Sequence, residues 1–451
     1  MRLPRRRFLQ GLAAGPLVAT LPAVGCAARG EGLRVVVIGA GAAGLYAGWT
    51  LQDEGASVTI LEASAVHGGR LRVLEGFADF PIELGAEEVH GERSILHTLL
   101  VADGARFVDA DDADVYFVDG ERRGEGVLEE DDFADAEAFV DALGDWEGDD
   151  VTIAARIADE GLAARTNFLT DAWIGNEFGA QNDLIGARSL AQGDAAWSAG
   201  GANFALDGTT LLGHLESALA AILPAVKTGQ VVTRVDHDAD GVTVTCADGT
   251  TYAADAVIVA VPITILRDGD ITFSPALPDD KLAAIGKVPM GAGMKVVLSF
   301  ARRFWDANTG SIYGAAHVPE FWATGLGRSD ENLVLTAFVM GDKAEALSAM
   351  GDDAIATVLA DLDTMYGAGV ASGAYVDGVI LDWLKEPTIR GAYSYPGPGS
   401  HAARAIVAEA VGETVYFAGE ATHTEGHFGT VHGALETGER AAEAVLAWWW
   451  E

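Results

Sequence analysis

The chain has 451 residues, 49% hydrophobic and 21% charged, with 56 glycines and 13 prolines, a globular composition that excludes wholesale disorder and a collagen-like repeat and has room for about two or three domains. Its net charge of −38, from 67 acidic against 29 basic residues, argues against a broad basic face for nucleic acid. With only Cys26 and Cys246, neither a disulfide framework nor a thiolate-rich metal site can form, and no metal is expected.

Residues 1–30 hold Arg2, Arg5, Arg6, Arg7 and Arg29, no acid, and an apolar run from Phe8 to Val24 interrupted by Gly15, Pro16 and Pro22. That layout is a signal peptide rather than a membrane span. Arg5-Arg6-Arg7-Phe8-Leu9 resembles a twin-arginine export signal, a route for folded proteins, so a periplasmic or cell-surface location is expected. Ala23-Val24-Gly25-Cys26 resembles a lipoprotein cleavage box, with Ala23 where a larger aliphatic residue is usual. Membrane anchoring by lipid at Cys26 and a plain soluble exit region both stay open. Downstream, the acids spread along the chain, and Asp-rich runs near 109–114 and 129–135 read as solvated faces. Such charge fits adaptation to salt or long-range attraction of cations.

Leu33 to Ile38 is a Val-rich run expected of a parallel strand buried on both faces. It enters Gly39-Ala40-Gly41-Ala42-Ala43-Gly44, a helical stretch from Leu45 to Glu54, and a second strand from Ser57 to Leu61 ending at Glu62. Gly39 allows the tight turn, Gly41 the approach of a pyrophosphate, and Gly44 close packing of strand on helix; Glu62 stands where a ribose diol is bound. The helix N-terminus offers unpaired N–H groups to the phosphates. This is a dinucleotide cradle, by itself silent on nicotinamide versus flavin.

His67-Gly68-Gly69-Arg70-Leu71 and Ile82-Glu83-Leu84-Gly85-Ala86 decide between them. Together with the cradle they resemble the flavin amine oxidase family, which includes monoamine and polyamine oxidases and the lysine-specific histone demethylase. The resemblance runs in pieces over nearly all of the chain after residue 32. It implies FAD, with Arg70 beside it and the Leu-Gly-Ala loop along the flavin ring. It places Ala43, Ser64, Gly69, Glu87 and Glu88 among the cofactor-binding residues, and Val232 at the adenine. Residues 229–245 alternate as a hairpin turning at Asp240-Gly241, and Ala256 to Val261 is an apolar strand ended by Pro262. Cys246 reads as a small buried strand residue. Met290-Gly291-Ala292-Gly293-Met294-Lys295 leads into a strand expected from Val296; the resemblance makes Lys295 the lysine that holds a water near flavin N5, against the plainer reading of a structural lysine.

Phe417-Ala418-Gly419-Glu420-Ala421-Thr422 is similar to the family's second FAD-binding strand, with Gly419 and Glu420 near the ribityl chain. Thr430-Val431-His432-Gly433-Ala434-Leu435 opens a helix expected to end near Trp448, its N-terminal N–H groups facing the flavin N1–C2=O edge, where negative charge develops on reduction. In Arg390-Gly391-Ala392-Tyr393, Ala392 stands where monoamine oxidases carry the cysteine bonded to FAD, so the flavin is expected to be non-covalent. Tyr393 matches one wall of the aromatic sandwich around the substrate amine and Thr430 the other, as in spermine oxidase and the histone demethylase.

Ala86-Glu87-Glu88-Val89-His90-Gly91 corresponds to the loop that in polyamine oxidases faces the amine. Cation recognition by His90 with Glu88 or Glu87 is one reading, and an exposed loop whose backbone serves the flavin is the other. An amino-acid oxidase would need an arginine clamp; Arg93 is near but lacks the matching motif. Trp173, Glu177, Phe178 and Trp322 are further cavity candidates.

The expected architecture is α/β: a discontinuous, doubly wound FAD domain (32–93, 207–290 and 387–451) with an inserted α+β substrate domain (94–206 and 291–386). The expected activity is oxidation of an amine C–N bond to an imine that hydrolyses, O2 being reduced to H2O2, with Lys295, Tyr393 and Thr430 at the reacting centre. An L-amino-acid oxidase, a flavin-dependent desaturase and a catalytically dead flavoprotein are the alternatives. Neither the oligomeric state nor a role for Trp448-Trp449-Trp450 is readable.

Overall fold

A computed structural model describes residues 32–108 and 112–450. The expected export signal, Cys26 and part of the Asp-rich run near 109–114 lie outside these residues.

Arg34–Ile38 is the middle strand of a five-stranded, all-parallel sheet. It lies between Ser57–Leu61 and Ala256–Val259; Val415–Phe417 and Val226–Lys227 form the edges. The continuous apolar sequence has a direct cause: Val35 and Val37 enter one core and Val36 and Ile38 the other. On the first face lie the helix Ala42–Asp53 and the terminal helix Val431–Trp450, which pack on each other. A Cβ at Gly438 would come within 2.3 Å of the Ala43 carbonyl oxygen, so this approach needs a glycine. On the second face lie the helices Asp279–Lys287 and Ser400–Ala408 and a four-stranded sheet.

That smaller sheet contains the expected hairpin, Val232–Asp238 with Gly241–Cys246. Its turn is one residue earlier than read from the sequence, because Asp238 Oδ1 accepts the N–H groups of Asp240 and Gly241 and closes the turn around its own side chain. Cys246 is buried at the end of the second strand.

A seven-stranded sheet takes its strands from 113–123 and 293–382, in the order Tyr375–Asp382, Gly293–Phe300, Val334–Met340, Glu320–Ala323, Thr309–Tyr313, Ala113–Val118, Glu121–Arg123. Gly293–Phe300 starts three residues before the expected Val296. Lys295 is therefore held within the ladder, opposite Phe338 and Leu381, rather than on a loose approach. Among the described residues no helix is long and apolar enough to cross a membrane.

Candidate active site

One cavity of about 860 Å³ runs from Ile38 and Gly39 to Tyr393 and Trp322. At its first end the glycine loop does what its spacing implied. Gly39 has φ +103, and a Cβ there would meet the Ala260 carbonyl oxygen at 2.6 Å. A Cβ on Gly44 would meet the Gly39 carbonyl oxygen at 1.9 Å. A Cβ on Gly41 would meet no protein atom closer than Gly69 Cα at 3.9 Å, so packing does not require glycine there and the open space suits a ligand. The helix begins at Ala42, earlier than expected, and its first N–H groups, with Ala43, open on the cavity. Glu62 is buried at the end of the second strand and accepts N–H groups from Ala40 (2.9 Å) and Ser64 (2.8 Å). It ties the glycine loop to the next turn while keeping lone pairs for a ribose. Ser64 and Val232 also line the cavity, the Ser64 hydroxyl donating to the Val66 carbonyl. These features fit a dinucleotide of FAD size without rearrangement.

Further along, Glu420 gathers three segments of chain. It accepts from Arg70 Nη1 (2.8 Å), the Ser394 N–H (3.2 Å) and hydroxyl, and the Gly429 N–H (2.8 Å). Burial opposes its ionisation, but the Arg70 and Arg404 charges and these hydrogen bonds hold it below the usual carboxylate range. Arg70 donates in addition to the Ala392 carbonyl (2.8 Å), and Arg404 to Ser394 Oγ, Ala421 O and Tyr395 O. Gly69, Arg70, Gly419 and Glu420 thus sit at the cavity wall, with Glu420 latching the wall together. Arg404 and Ser394 escaped the sequence reading. Their signal was an arginine on the apolar face of helix 400–408 and a serine beside Tyr393.

Lys295 Nζ donates to the Glu83 carbonyl and to Glu87 Oε2, both at 3.0 Å, and lies 5.0 Å from the centre of the Trp322 ring. Glu87 Oε1 accepts from Arg328 Nη1 at 3.0 Å. Burial acts against the Glu87 charge, yet Lys295 and Arg328 hold its carboxyl below the usual range. Both oxygens thereby have a cationic partner, and Glu87 still lines the cavity where cofactor or amine is expected. Arg328 and Glu83 were not anticipated. An acid between Ile82 and Leu84 in a buried strand was the available sign for Glu83; Arg328, on a loop, offered none.

At the far end Tyr393, Trp322, Phe178, Phe338 and Met340 give an apolar lining, to which Glu177, Glu88 and His90 add polar groups. The Tyr393 hydroxyl donates to the carbonyl of Glu177 (2.8 Å), and its ring lies against Gly179, where a Cβ would come within 2.7 Å. Glu177 follows the π-helical turn Asp171–Asn176 and lies in the last turn of its helix, where carbonyls have no intrahelical N–H to accept from. His90 Nδ1 pairs with Asn203 Oδ1 at 2.9 Å and lies 3.8 Å from Glu88. Thr430 lines the cavity, but its hydroxyl caps the terminal helix, donating to the His427 carbonyl and accepting the Gly433 N–H, which aims Val431 and its N–H into the cavity. Trp173 is core, packed edge-on to Tyr116 and Tyr313. Arg93 is mostly exposed, on Ser198 O and Glu92.

Behind this wall His423, His427 and Glu436 bring three ligand atoms within 4.8 Å of one another. The hydrogen bonds decide against a metal. His423 Nδ1 accepts the N–H of Glu425 and of His427, and His427 Nε2 accepts that of Ser198. The opposite ring nitrogens must then carry hydrogen, and both donate to Glu436 Oε2 at 2.7 Å. The trio is a clamp of two neutral imidazoles on one carboxylate, joining the 419–430 loop to the terminal helix.

Residues 42–446 match the family model described as flavin containing amine oxidoreductase. Mouse lysine-specific histone demethylase 1B is 28% identical over 92% of this chain, which spans about half, 53%, of that protein. Polyamine oxidase 4 of Oryza sativa subsp. japonica is also 28% identical, over 91% of this chain and 88% of its own length. Among solved structures, putrescine oxidase bound to putrescine superposes with a TM-score of 0.79 at 23% identity, over 92% of this chain and 100% of that one. Cyclohexylamine oxidase from Brevibacterium oxydans IH-35A gives 0.78 at 21%, over 92% and 99%.

Proposed function

The chain belongs to the flavin-containing amine oxidoreductase family, its cofactor is FAD, and from that premise we propose that it oxidises the C–N bond of a primary or secondary, polyamine-like amine. When bound, FAD supplies the hydride acceptor and the site at which dioxygen is reduced to hydrogen peroxide. The product imine hydrolyses to a carbonyl compound and an amine. The observation that carries this reading is the lining of the far end of the cavity, where Tyr393, Trp322 and Phe338 meet Glu88, Glu177 and His90. Aromatic walls position the carbon next to nitrogen, and carboxylates attract a second, distal ammonium. Tyr393, locked by Glu177 O and Gly179, offers its ring as one wall of the amine's path. Lys295 keeps one of its three N–H donors for a water, two being spent on Glu83 and Glu87. The neutral amine has the lone pair the reaction needs, so reduction should quicken as pH rises through the substrate's own ionisation.

The amino-acid oxidase alternative needs a cavity arginine for the substrate carboxylate. Among the described residues the arginines lining the cavity are Arg70 and Arg72, and Arg70 is committed to Glu420. Ala392 supports non-covalent attachment, and the arginine-rich start of the chain supports export, with lipid at Cys26 as one outcome.

Anaerobic absorbance of the purified protein against spermine, spermidine, putrescine, tyramine and several L-amino acids tests the proposal. Bleaching by the polyamines, with all FAD released by acid, is expected. Bleaching by amino acids alone would overturn the substrate class, and flavin retained in the acid pellet would overturn the attachment.

A further inference from the structure

Four ionisable side chains from three segments meet behind one wall of the cavity: Glu83 and Glu87 from the 82–91 stretch, Lys295 from its strand, and Arg328 from the loop after Glu320–Ala323. The side chains of Glu87, Lys295 and Arg328 are 8%, 5% and 9% exposed. Of the four, Glu87 and Lys295 touch the cavity, and Arg328 stands behind Glu87. We propose that Glu87 is a positioning residue for the reaction: an immobile counterion, fixed from behind by Arg328, that pins the Lys295 ammonium at the cavity wall and sets the local charge under which the flavin is reduced. The proposal rests on the reading that Lys295 works beside bound FAD.

Arg328 cannot act in the cavity itself, because its Nε donates to Leu206 O (2.9 Å) and its Nη1 also to Thr324 O (2.8 Å). It is a fixed post. Lysine has a long flexible stem, so a cavity lysine without a counterion would sample several rotamers at an entropic cost. Here two of its three N–H donors are tied down and the third direction is thereby fixed. Without Glu87, two cations would share a buried site with no anion between them, an arrangement that burial makes expensive. Glu83 does not substitute for it. Burial and the nearby Glu87 charge push its carboxyl up to about 8 against the Leu211 N–H and the two cations, so at neutral pH it holds a proton. The groups facing Lys295 are then the Glu87 carboxylate, the backbone carbonyl of Glu83, the Arg328 cation and the Trp322 ring, with the neutral Glu83 carboxyl turned to the Leu211 N–H. One net positive charge is left near the place where reduction creates a negative one, which favours the reduced state.

The test is a reductive titration of FAD-loaded Glu87→Gln, Glu87→Asp and Lys295→Met against a reference dye, followed by the pH profile of anaerobic reduction by spermidine. Glu87→Gln should raise the flavin midpoint potential, by about tenfold in the oxidised-to-reduced ratio, and move the pH profile to lower pH as Lys295 loses its counterion. Glu87→Asp should keep the wild-type potential. Lys295→Met should lower it, and the double variant Glu87→Gln/Lys295→Met, which removes the pair together, should bring it back. A Glu87→Gln protein that melts early but keeps the wild-type potential and pH profile overturns the proposal. So does a double variant as low in potential as Lys295→Met, a measurement that stands even where the single Gln variant fails to fold. An unchanged potential and pH profile in Lys295→Met would instead overturn the reading of Lys295 on which the proposal rests.

Discussion

Glu420 and Glu87 each lie buried between two cations at the wall of one cavity, yet they are fastened differently. Glu420 takes its hydrogen bonds from Arg70 and from the Ser394 and Gly429 backbone, with Arg404 bonded to Ser394 behind it. Among the described residues Glu87 is bonded only to the tips of two side chains, Lys295 and Arg328. A carboxylate woven into the backbone of two segments fixes chain path. One held by side chains alone fixes charge and leaves the backbone to others. The same chemical pair therefore serves as a latch around the cofactor and as a bracket around a reacting group.

The largest effect that separates the two should come from Glu420→Ala. Removing the anion leaves Arg70 and the fully buried Arg404 without their partner, a loss of about 3–5 kcal/mol, and frees the Ser394 and Gly429 N–H groups. The expected protein purifies with little FAD and melts far lower; retention of full FAD with a small change in melting would remove the latch from the comparison. Next comes Glu83, the neutral acid beside the bracket. Its native carboxyl is raised from 4.5 to about 8, so the native state holds a proton that the unfolded chain releases, and this group's contribution to stability falls as pH rises between those values. Among the described residues Glu83 Oε2 has no hydrogen-bond partner. Glu83→Gln should accordingly gain stability over wild type as pH rises, on the order of 3 kcal/mol at the alkaline end. A gap between the two melting curves that is independent of pH would show Glu83 ionised and the bracket neutral overall.

The histidine–glutamate clamp behind the wall gives the opposite sign. Burial resists ionisation of Glu436, but hydrogen bonds and charge from His423 and His427 lower its carboxyl from 4.5 to about 2. Its contribution is complete above 4.5 and is lost as pH falls toward 2. Its side chain is 28% exposed, so solvent screening reduces the effect to on the order of 2 kcal/mol. Acid unfolding of Glu436→Gln should begin from a lower baseline and show a shallower slope in that window. A metal held by the trio would instead make wild-type melting sensitive to a chelator at neutral pH, and no such sensitivity is expected.

The cofactor end was legible in the sequence because its constraints are local. Gly39, Gly41 and Gly44 act on chain a few residues away, and the run from Arg34 to Ile38 records burial on both faces in its own composition. The bracket was not, because it joins residue 87 to 295 and 328 through tertiary contacts that no spacing encodes. Resemblance located Lys295 without its counterion, and Glu87 was read as facing a ligand because acids in such loops often do. Thr430 shows an intermediate case: it lines the cavity, while its hydroxyl is spent on a cap that the Thr-Val-His-Gly spelling already allowed.

That cap provides the smallest and cleanest contrast between latch and bracket. The Thr430 hydroxyl accepts the Gly433 N–H at 3.0 Å and donates to the His427 carbonyl at 2.7 Å, one residue from the Gly429 N–H that binds Glu420. Thr430→Val keeps shape and removes both bonds, at a cost of about 1 kcal/mol. Since the cap orients the helix end that opens on the cavity, the variant should also release FAD more readily on dilution while the flavin midpoint potential, set at Glu87 and Lys295, stays near wild type. Thr430→Ser, which retains the hydroxyl, should restore retention. If Thr430→Val instead moved the potential as Glu87→Gln does, the two ends of the cavity would share one electrostatic role, and the division between a latch for the cofactor and a bracket for the reaction would fail.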